Sequence, residues 1–285
     1  MKDYRIFDAH CDTLCCICDK GGNAEENTYN IDKKRMMEYT HYTQLFACFI
    51  SPLYYSDPML RFKALYQTYK KQDFTGITPM LSLEGGEVIS SLEDIEYLNS
   101  CGVRCIALTW NNTNKLASGV LDTDTGLTPF GKSVVRKMED LGIYVDVSHL
   151  SDKSFYDVAS IATKPIIATH SNSRSICNHP RNLTDDMFKI IRDSDGCVGI
   201  NLYPLFLTEK DECTSADALK HIEYFLSLGG EDTIGIGADF DGTDNQLPQD
   251  VQGCEGLYKI LDLIGDRKIA DKISEKNFLR IFGEE

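Results

Sequence analysis

Short apolar runs rich in β-branched residues alternate along the chain with longer stretches in which apolar positions recur every three or four residues. The first pattern predicts strands buried on both faces and the second predicts helices laid over them, so their alternation predicts β/α units on a parallel sheet. Eight strands are predicted, at 4–9, 44–50, 78–83, 104–109, 144–148, 166–169, 197–202 and 233–238. Helical faces are predicted at 59–71, where Leu60, Ala64, Leu65 and Tyr69 share a side, and at 131–141, 152–161, 187–192 and 216–228. Eight strands with helices in about 250 residues predict an α/β fold, a (β/α)8 TIM barrel, with a doubly wound open sheet as the competing arrangement. No internal repeat or linker divides the chain, so residues 1–285 are read as a single domain.

Local punctuation supports several boundaries. Thr128 is placed to cap a helix whose first turn holds Pro129, where a missing N–H costs nothing. Gly142 follows Leu141 and is free to take positive φ at the end of that helix. Ser151 is a further N-cap, which leaves His149 at the junction of strand and loop.

The charge balance narrows the partners. With 29 basic and 44 acidic side chains and a net charge of -15, nucleic acid and anionic membrane are disfavoured. The start, MKDYRIFDAHCD, lacks an apolar leader, and no run of about 18 apolar residues occurs, so a cytoplasmic protein is expected. The eleven cysteines are an odd number spread over a large chain and read as reduced thiols. Cys11, Cys15, Cys16 and Cys18 invite a thiolate-metal reading, but no second pair at ligand spacing follows, and small buried hydrophobes are the simpler account.

A barrel enzyme collects its chemistry at the C-terminal ends of its strands. Strand one ends in Asp8-Ala9-His10-Cys11-Asp12, and period-2 alternation sends His10 and Asp12 to one side, with Cys11 pointing away. Strand three ends in Glu84-Gly85-Gly86, a carboxylate at a tight turn, able to bridge two ions. Strand five ends at His149, strand six at His170, and strand eight runs into Asp239-Phe240-Asp241-Gly242. Each taken singly has a structural alternative, but three of only six histidines converging with carboxylates at one end fit a pair of divalent cations in a hydrolase. His41, His179 and His221 lie away from strand ends and read as structural or surface residues.

These motifs resemble the membrane (renal) dipeptidases and their soluble bacterial relatives, metal-dependent peptidases among the amidohydrolase-like barrels. The resemblance runs through DAHCDTL at 8–14, SLEGGE at 82–87, RCIALTWNNTN at 104–114, GLTPFGKSVVRKMEDLGIYVDVSHLSD at 126–152, ATHSNSRSICNHPRNLTD at 168–185, IGIGADFDG at 234–242 and NFLRIF at 277–282. It implies two Zn2+ per chain, one held by His10 and Asp12, the other by His149 and His170, with Glu84 bridging and Asp239 beside the first metal as the proton acceptor. Asp241 is the fallback for that role. Arg181 would bind the free carboxylate of a dipeptide substrate, with Arg174 either sharing that work or making a surface salt bridge.

The sequence departs from the mammalian enzymes at Leu108-Thr109-Trp110-Asn111, where they carry a histidine that stabilises the tetrahedral intermediate. Asn111 or Asn112 could donate in its place, Trp110 would shape the pocket wall, and Tyr203 is assigned there by resemblance. The mammalian signal peptide and lipid-anchor signal are also missing, so no membrane attachment is expected. The reading is a binuclear zinc dipeptidase, with dipeptides ending in a D-residue among the candidate substrates and homodimerisation left open. Its rivals are a related hydrolase of N-acyl amino acids, lactones or cyclic amides, and a catalytically inactive binding protein.

Overall fold

In the computed structural model, which describes residues 2–283, eight parallel strands close into a barrel in chain order. They are β1 (Lys2–Cys11), β2 (Tyr39–Phe49), β3 (Thr78–Glu84), β4 (Val103–Ala107), β5 (Tyr144–Asp146), β6 (Ile167–Ala168), β7 (Cys197–Ile200) and β8 (Ile234–Ile236). Because β1 pairs with both β2 and β8, the open sheet is excluded. All eight predicted strands overlap observed ones. β1 and β2 begin earlier than predicted, because their first residues mix polar side chains into the apolar run, whereas β5, β6 and β8 are shorter.

Helix boundaries follow the caps. The Thr128 hydroxyl accepts from the Gly131 N–H at 2.9 Å and starts the helix Pro129–Asp140, with Gly142 at φ +75° beyond its end. The Ser151 hydroxyl accepts from Ser154 N–H at 3.2 Å and starts Asp152–Ala159. The Cys-rich stretch after β1, not among the predicted helices, forms the helix Thr13–Lys20. Among the described residues no helix is long and apolar enough to cross a membrane.

Two apolar layers hold the barrel. Inside it, Phe7, Ala9, Leu45, Met80, Cys105, Ile167 and Cys197 pack together and are closed off by Phe278, Ile281 and Phe282 of the C-terminal helix. The Phe7 ring lies 5.5 Å from the rings of both Phe278 and Phe282, so this plug fills one end and leaves the other for chemistry. The outer layer, between strands and helices, takes the alternate positions, such as Ile6, Cys11, Leu83, Val147, Ala168 and Ala238.

Strict alternation carries Glu84 and Asp239 inward from Met80 and Gly235. It would not carry His10 inward, because Phe7 and Ala9 already occupy the inner phase. The register between β1 and β2 shifts between Asp8 and Cys11, and that shift turns Cys11 outward and His10 inward. On β5 and β6 the same break of phase precedes His149, at φ +69°, and His170.

Candidate metal centre

The open end of the barrel gathers five strand ends around Glu84. Its Oε2 lies 3.5 Å from His10 Nε2, and its Oε1 lies 2.7 Å from His149 Nε2 and 3.7 Å from His170 Nε2. His10 Nε2 is also 3.5 Å from Asp12 Oδ2 and 3.8 Å from Asp239 Oδ1. The two oxygens of one carboxylate therefore face two separate donor sets. Tetrahedral donors at about 2.0–2.2 Å from a zinc ion stand about 3.3–3.5 Å apart, close to the spacing around His10. All six side chains are buried, and three overlapping groups of them are compact enough to hold a cation. None of those groups contains a cysteine, and all eleven cysteines are unpaired.

The hydrogen bonds of the imidazoles point the same way. His149 Nδ1–H donates to Asn111 Oδ1 at 2.7 Å, and His170 Nδ1–H donates to Thr169 Oγ1 at 2.8 Å, since the Thr169 hydroxyl is committed to Asp146 Oδ2 at 2.5 Å. With both Nδ1 atoms protonated, the two Nε2 atoms, 2.9 Å apart, face each other as lone pairs. Such an arrangement is repulsive alone and suits a shared cationic neighbour. His10 Nε2 is buried with no hydrogen-bond partner of its own.

Electrostatics are those of a buried, acid-rich centre. Burial works to hold Glu84 neutral, but the facing His10 outweighs it and keeps the Glu84 pKa well below the usual range. Burial, partly offset by His10 and reinforced by Asp12 and Glu84, raises Asp239 to about 7, and burial raises Asp12 to about 6. Burial and Arg181 push His149 down to about 4, while burial, His10 and His149 push His170 down. Both histidines are thereby kept as neutral ligands.

Backbone geometry is tuned to these positions. Asp239 sits at φ +62°, a conformation that costs a non-glycine residue about 1–2 kcal/mol and is retained here at a ligand candidate. The ladder between β1 and β8 continues past the strands, with Asp239 N–H donating to His10 C=O at 3.2 Å and Asp12 N–H to Phe240 C=O at 2.8 Å. At Gly242 a Cβ would collide with Asp12 Oδ2 and Asp239 Oδ1, so only glycine lets the chain pass the carboxylates.

Of the donors, Asp12, Glu84, His149 and Asp239 line a cavity of about 700 Å3 shared with Trp110, Asn111, Arg181, Tyr203 and Phe206. Arg181 is buried, its Nε and Nη2 have no partner, and its guanidinium lies 5.4 Å from the Phe206 ring. The Trp110 ring packs, tilted, 5.4 Å from Phe49 and 6.2 Å from His149. The structure separates Arg174 from this work: it makes a two-point salt bridge to Asp152 at 2.7 and 2.8 Å and braces the loop through Asn182 C=O. Asp241, the fallback proton acceptor, lines the cavity, but its two oxygens accept from Thr13 Oγ1 and Asn30 N–H. Asn111 spends its oxygen on His149, leaving its amide N–H groups for the cavity.

Of the remaining histidines, His179 holds Arg181 N–H at 3.1 Å, His221 is buried between Ser173 N–H and Leu207 C=O, and His41 lies near Thr43 and Thr78. Sequence reasoning missed Asn201, which donates to Asp239 Oδ2 at 2.9 Å, and it missed a whole wall. That wall is Cys15, Cys16 and Asp19 on one face of the helix Thr13–Lys20, with Arg61 paired to Asp19 at 2.6 and 2.8 Å and lying 4.2 Å over Tyr54. The i, i+3, i+4, i+7 spacing of Asp12, Cys15, Cys16 and Asp19 was the available signal.

Residues 54–285 match the family described as membrane dipeptidase, peptidase family M19. The chain belongs to this family. It is thus by family a metal-dependent hydrolase. His10 and Asp12 precede the matched stretch, and the barrel closure brings them to it. An uncharacterized protein in the pqqA 5′ region of Klebsiella pneumoniae is 36% identical over 203 residues, 66% of this chain and 74% of its own length. An uncharacterized dipeptidase of Schizosaccharomyces pombe is 31% identical over 220 residues, 72% of this chain; the chain spans 53%, about half, of that relative's length. In fold the chain is similar to dipeptidase AC, a metallopeptidase of family M19, with a TM-score of 0.89, 24% identity and coverage of 99% and 98% of the two chains. A Rhodobacter sphaeroides metallopeptidase liganded with a phosphinate mimic of the dipeptide L-Ala-D-Ala has a TM-score of 0.86, 24% identity and 99% coverage of both chains.

Proposed function

We propose that this protein is a dipeptidase with two zinc ions at the barrel mouth, cleaving the single peptide bond of dipeptides, including those with a C-terminal D-residue. The observation that carries the reading is the division of Glu84 between two donor sets, His10 with Asp12 and His149 with His170, beside a buried arginine free to bind. Bound there, zinc would acidify a water and polarise the scissile carbonyl.

The chain's own groups supply the rest. Arg181 presents unpaired guanidinium N–H groups to the substrate carboxylate, and the loop that carries it is held by His179 and Arg174 before any ligand arrives. Asp239, oriented by Asn201 and standing beside His10, is placed to accept a proton and return it to the leaving amine. Trp110, Tyr203 and Phe206 line the cavity, and the Asn111 amide is the donor left to the developing oxyanion.

The test is release of free amino acids from a panel of L,L and L,D dipeptides by metal-stripped protein, before and after zinc is restored. Zinc-dependent release supports the proposal. No release across the panel by protein with zinc bound refutes it and turns the search to acyl amino acids and lactones.

A further inference from the structure

Two buried aspartates that no step above uses stand on opposite sides of the barrel, each at a break in strand phase. Asp146 on β5 accepts from Ser148 N–H at 2.9 Å and Thr169 N–H at 3.0 Å through Oδ1, and from the Thr169 hydroxyl at 2.5 Å through Oδ2. Ser148 and Thr169 immediately precede His149 and His170. Asp8 on β1 accepts from His10 N–H at 3.4 Å and from Ala238 N–H at 2.9 Å, and Ala238 immediately precedes Asp239. Each carboxylate thus takes the peptide N–H groups that the broken ladder frees and ties together two strand ends that carry donors of one half of the site.

We infer that Asp146, through Thr169, and Asp8 are positioning residues, each assigned to one metal of the pair. The inference rests on the binuclear reading above. The relay Asp146–Thr169–His170 carries it furthest. Because the Thr169 proton is given to Asp146, the hydroxyl can only accept from His170 Nδ1–H, which keeps the Nε2 lone pair aimed at the Glu84 side of the centre. Remove that acceptor, and the hydroxyl is free to donate to Nδ1 instead; the imidazole proton then moves to Nε2, and His170 ceases to be a ligand.

The decisive variant is Thr169→Val, which keeps shape and leaves both backbone bonds of Asp146 in place. Metal-stripped parent, Thr169→Val and Thr169→Ser are titrated with Zn2+ in competition with a chromophoric chelator, and the melting temperature of each stripped protein is recorded. Removing the partner of a ligating histidine typically costs 10–100-fold in metal affinity. The expected result is two zinc ions in the parent, one of them weakened about 10–100-fold in Thr169→Val and restored in Thr169→Ser, with the other unchanged. Asp146→Asn, whose single oxygen is held by the Ser148 and Thr169 N–H groups so that an NH2 faces the Thr169 hydroxyl, should weaken the same ion, and Asp8→Ala the other one. Parent affinity for both ions in Thr169→Val overturns the positioning role, as does equal weakening of both ions accompanied by a lowered melting temperature. A parent that binds fewer than two zinc ions overturns the binuclear reading itself, whatever the variants do.

Discussion

Replacing Arg181 with methionine separates substrate recognition from the rest of the site. Arg181 is only 6% exposed, and its guanidinium Nε and Nη2 meet no acceptor among the described residues, so a substrate carboxylate would gain two charge-assisted hydrogen bonds in a largely desolvated place. Such bonds contribute about 1.5–3 kcal/mol each, and their positions are fixed in advance, so their joint loss should cost about 3–5 kcal/mol. At about 1.4 kcal/mol per power of ten, kcat/KM for a free dipeptide should fall by roughly two to three and a half orders of magnitude. The assay is kcat/KM for one dipeptide and for its C-terminal amide, with parent and Arg181→Met side by side. The amide lacks the charge that Arg181 is proposed to meet, so its kcat/KM should change by less than about tenfold. Thermal stability should hold or rise, because an unpaired buried cation is removed. Equal losses for dipeptide and amide, or no loss for either, would refute the assignment. Arg181→Lys should recover only part of the activity, since an ammonium cannot reproduce the planar fork.

Four further outcomes follow from the geometry. Glu84→Gln replaces one of two facing oxygens with an amide nitrogen, so bound zinc by elemental analysis should fall from two ions to one or none and turnover by about a thousandfold or more. Asp239→Asn should keep metal and lose about 10²–10⁴ in kcat; undiminished turnover would remove the proton-acceptor role. Gly242→Ala places a methyl group against Asp12 and Asp239 and should lower zinc affinity, read by chelator competition. His221 is held neutral, burial lowering its pKa to about 4, with Ser173 N–H on Nδ1 and Leu207 C=O on Nε2. Below its unfolded pKa of about 6.5 the unfolded chain binds a proton that the native one refuses, so stability falls with falling pH, by about 2 kcal/mol between pH 7.5 and 5. Urea unfolding at those two pH values should show that loss in the parent and a smaller one in His221→Gln.

Much of this molecule is written locally. The eight apolar runs, the caps Thr128 and Ser151, and the turn glycine Gly142 act over two to four residues, so hydrophobic period and cap chemistry locate them without reference to the fold. The same holds for the placement of His10, Asp12, Glu84, His149, His170 and Asp239 at strand ends, which motif position alone reveals. Less legible were the pocket residues that come from another element. Arg61 reaches the cavity from the helix Pro58–Lys70 and is fixed there by Asp19, while Asn201 meets Asp239 from a neighbouring strand end. Arg174 and Asn111 were legible as polar neighbours of the site, but their partners Asp152 and His149 lie 22 and 38 residues away.

The direction in which the ligands face was decided only by the closed barrel. Alternation counted from Phe7 and Ala9 sends His10 outward; counted from Val147 and Ala168 it does the same for His149 and His170. What reverses them is a shift of register on β1 and broken ladders on β5 and β6, with the freed N–H groups taken up by Asp8 and Asp146 from across the strand boundary. A period-2 pattern records which residues can share a face of one strand. It holds no information about where the pairing between strands slips, because that depends on how all eight strands close around one apolar plug.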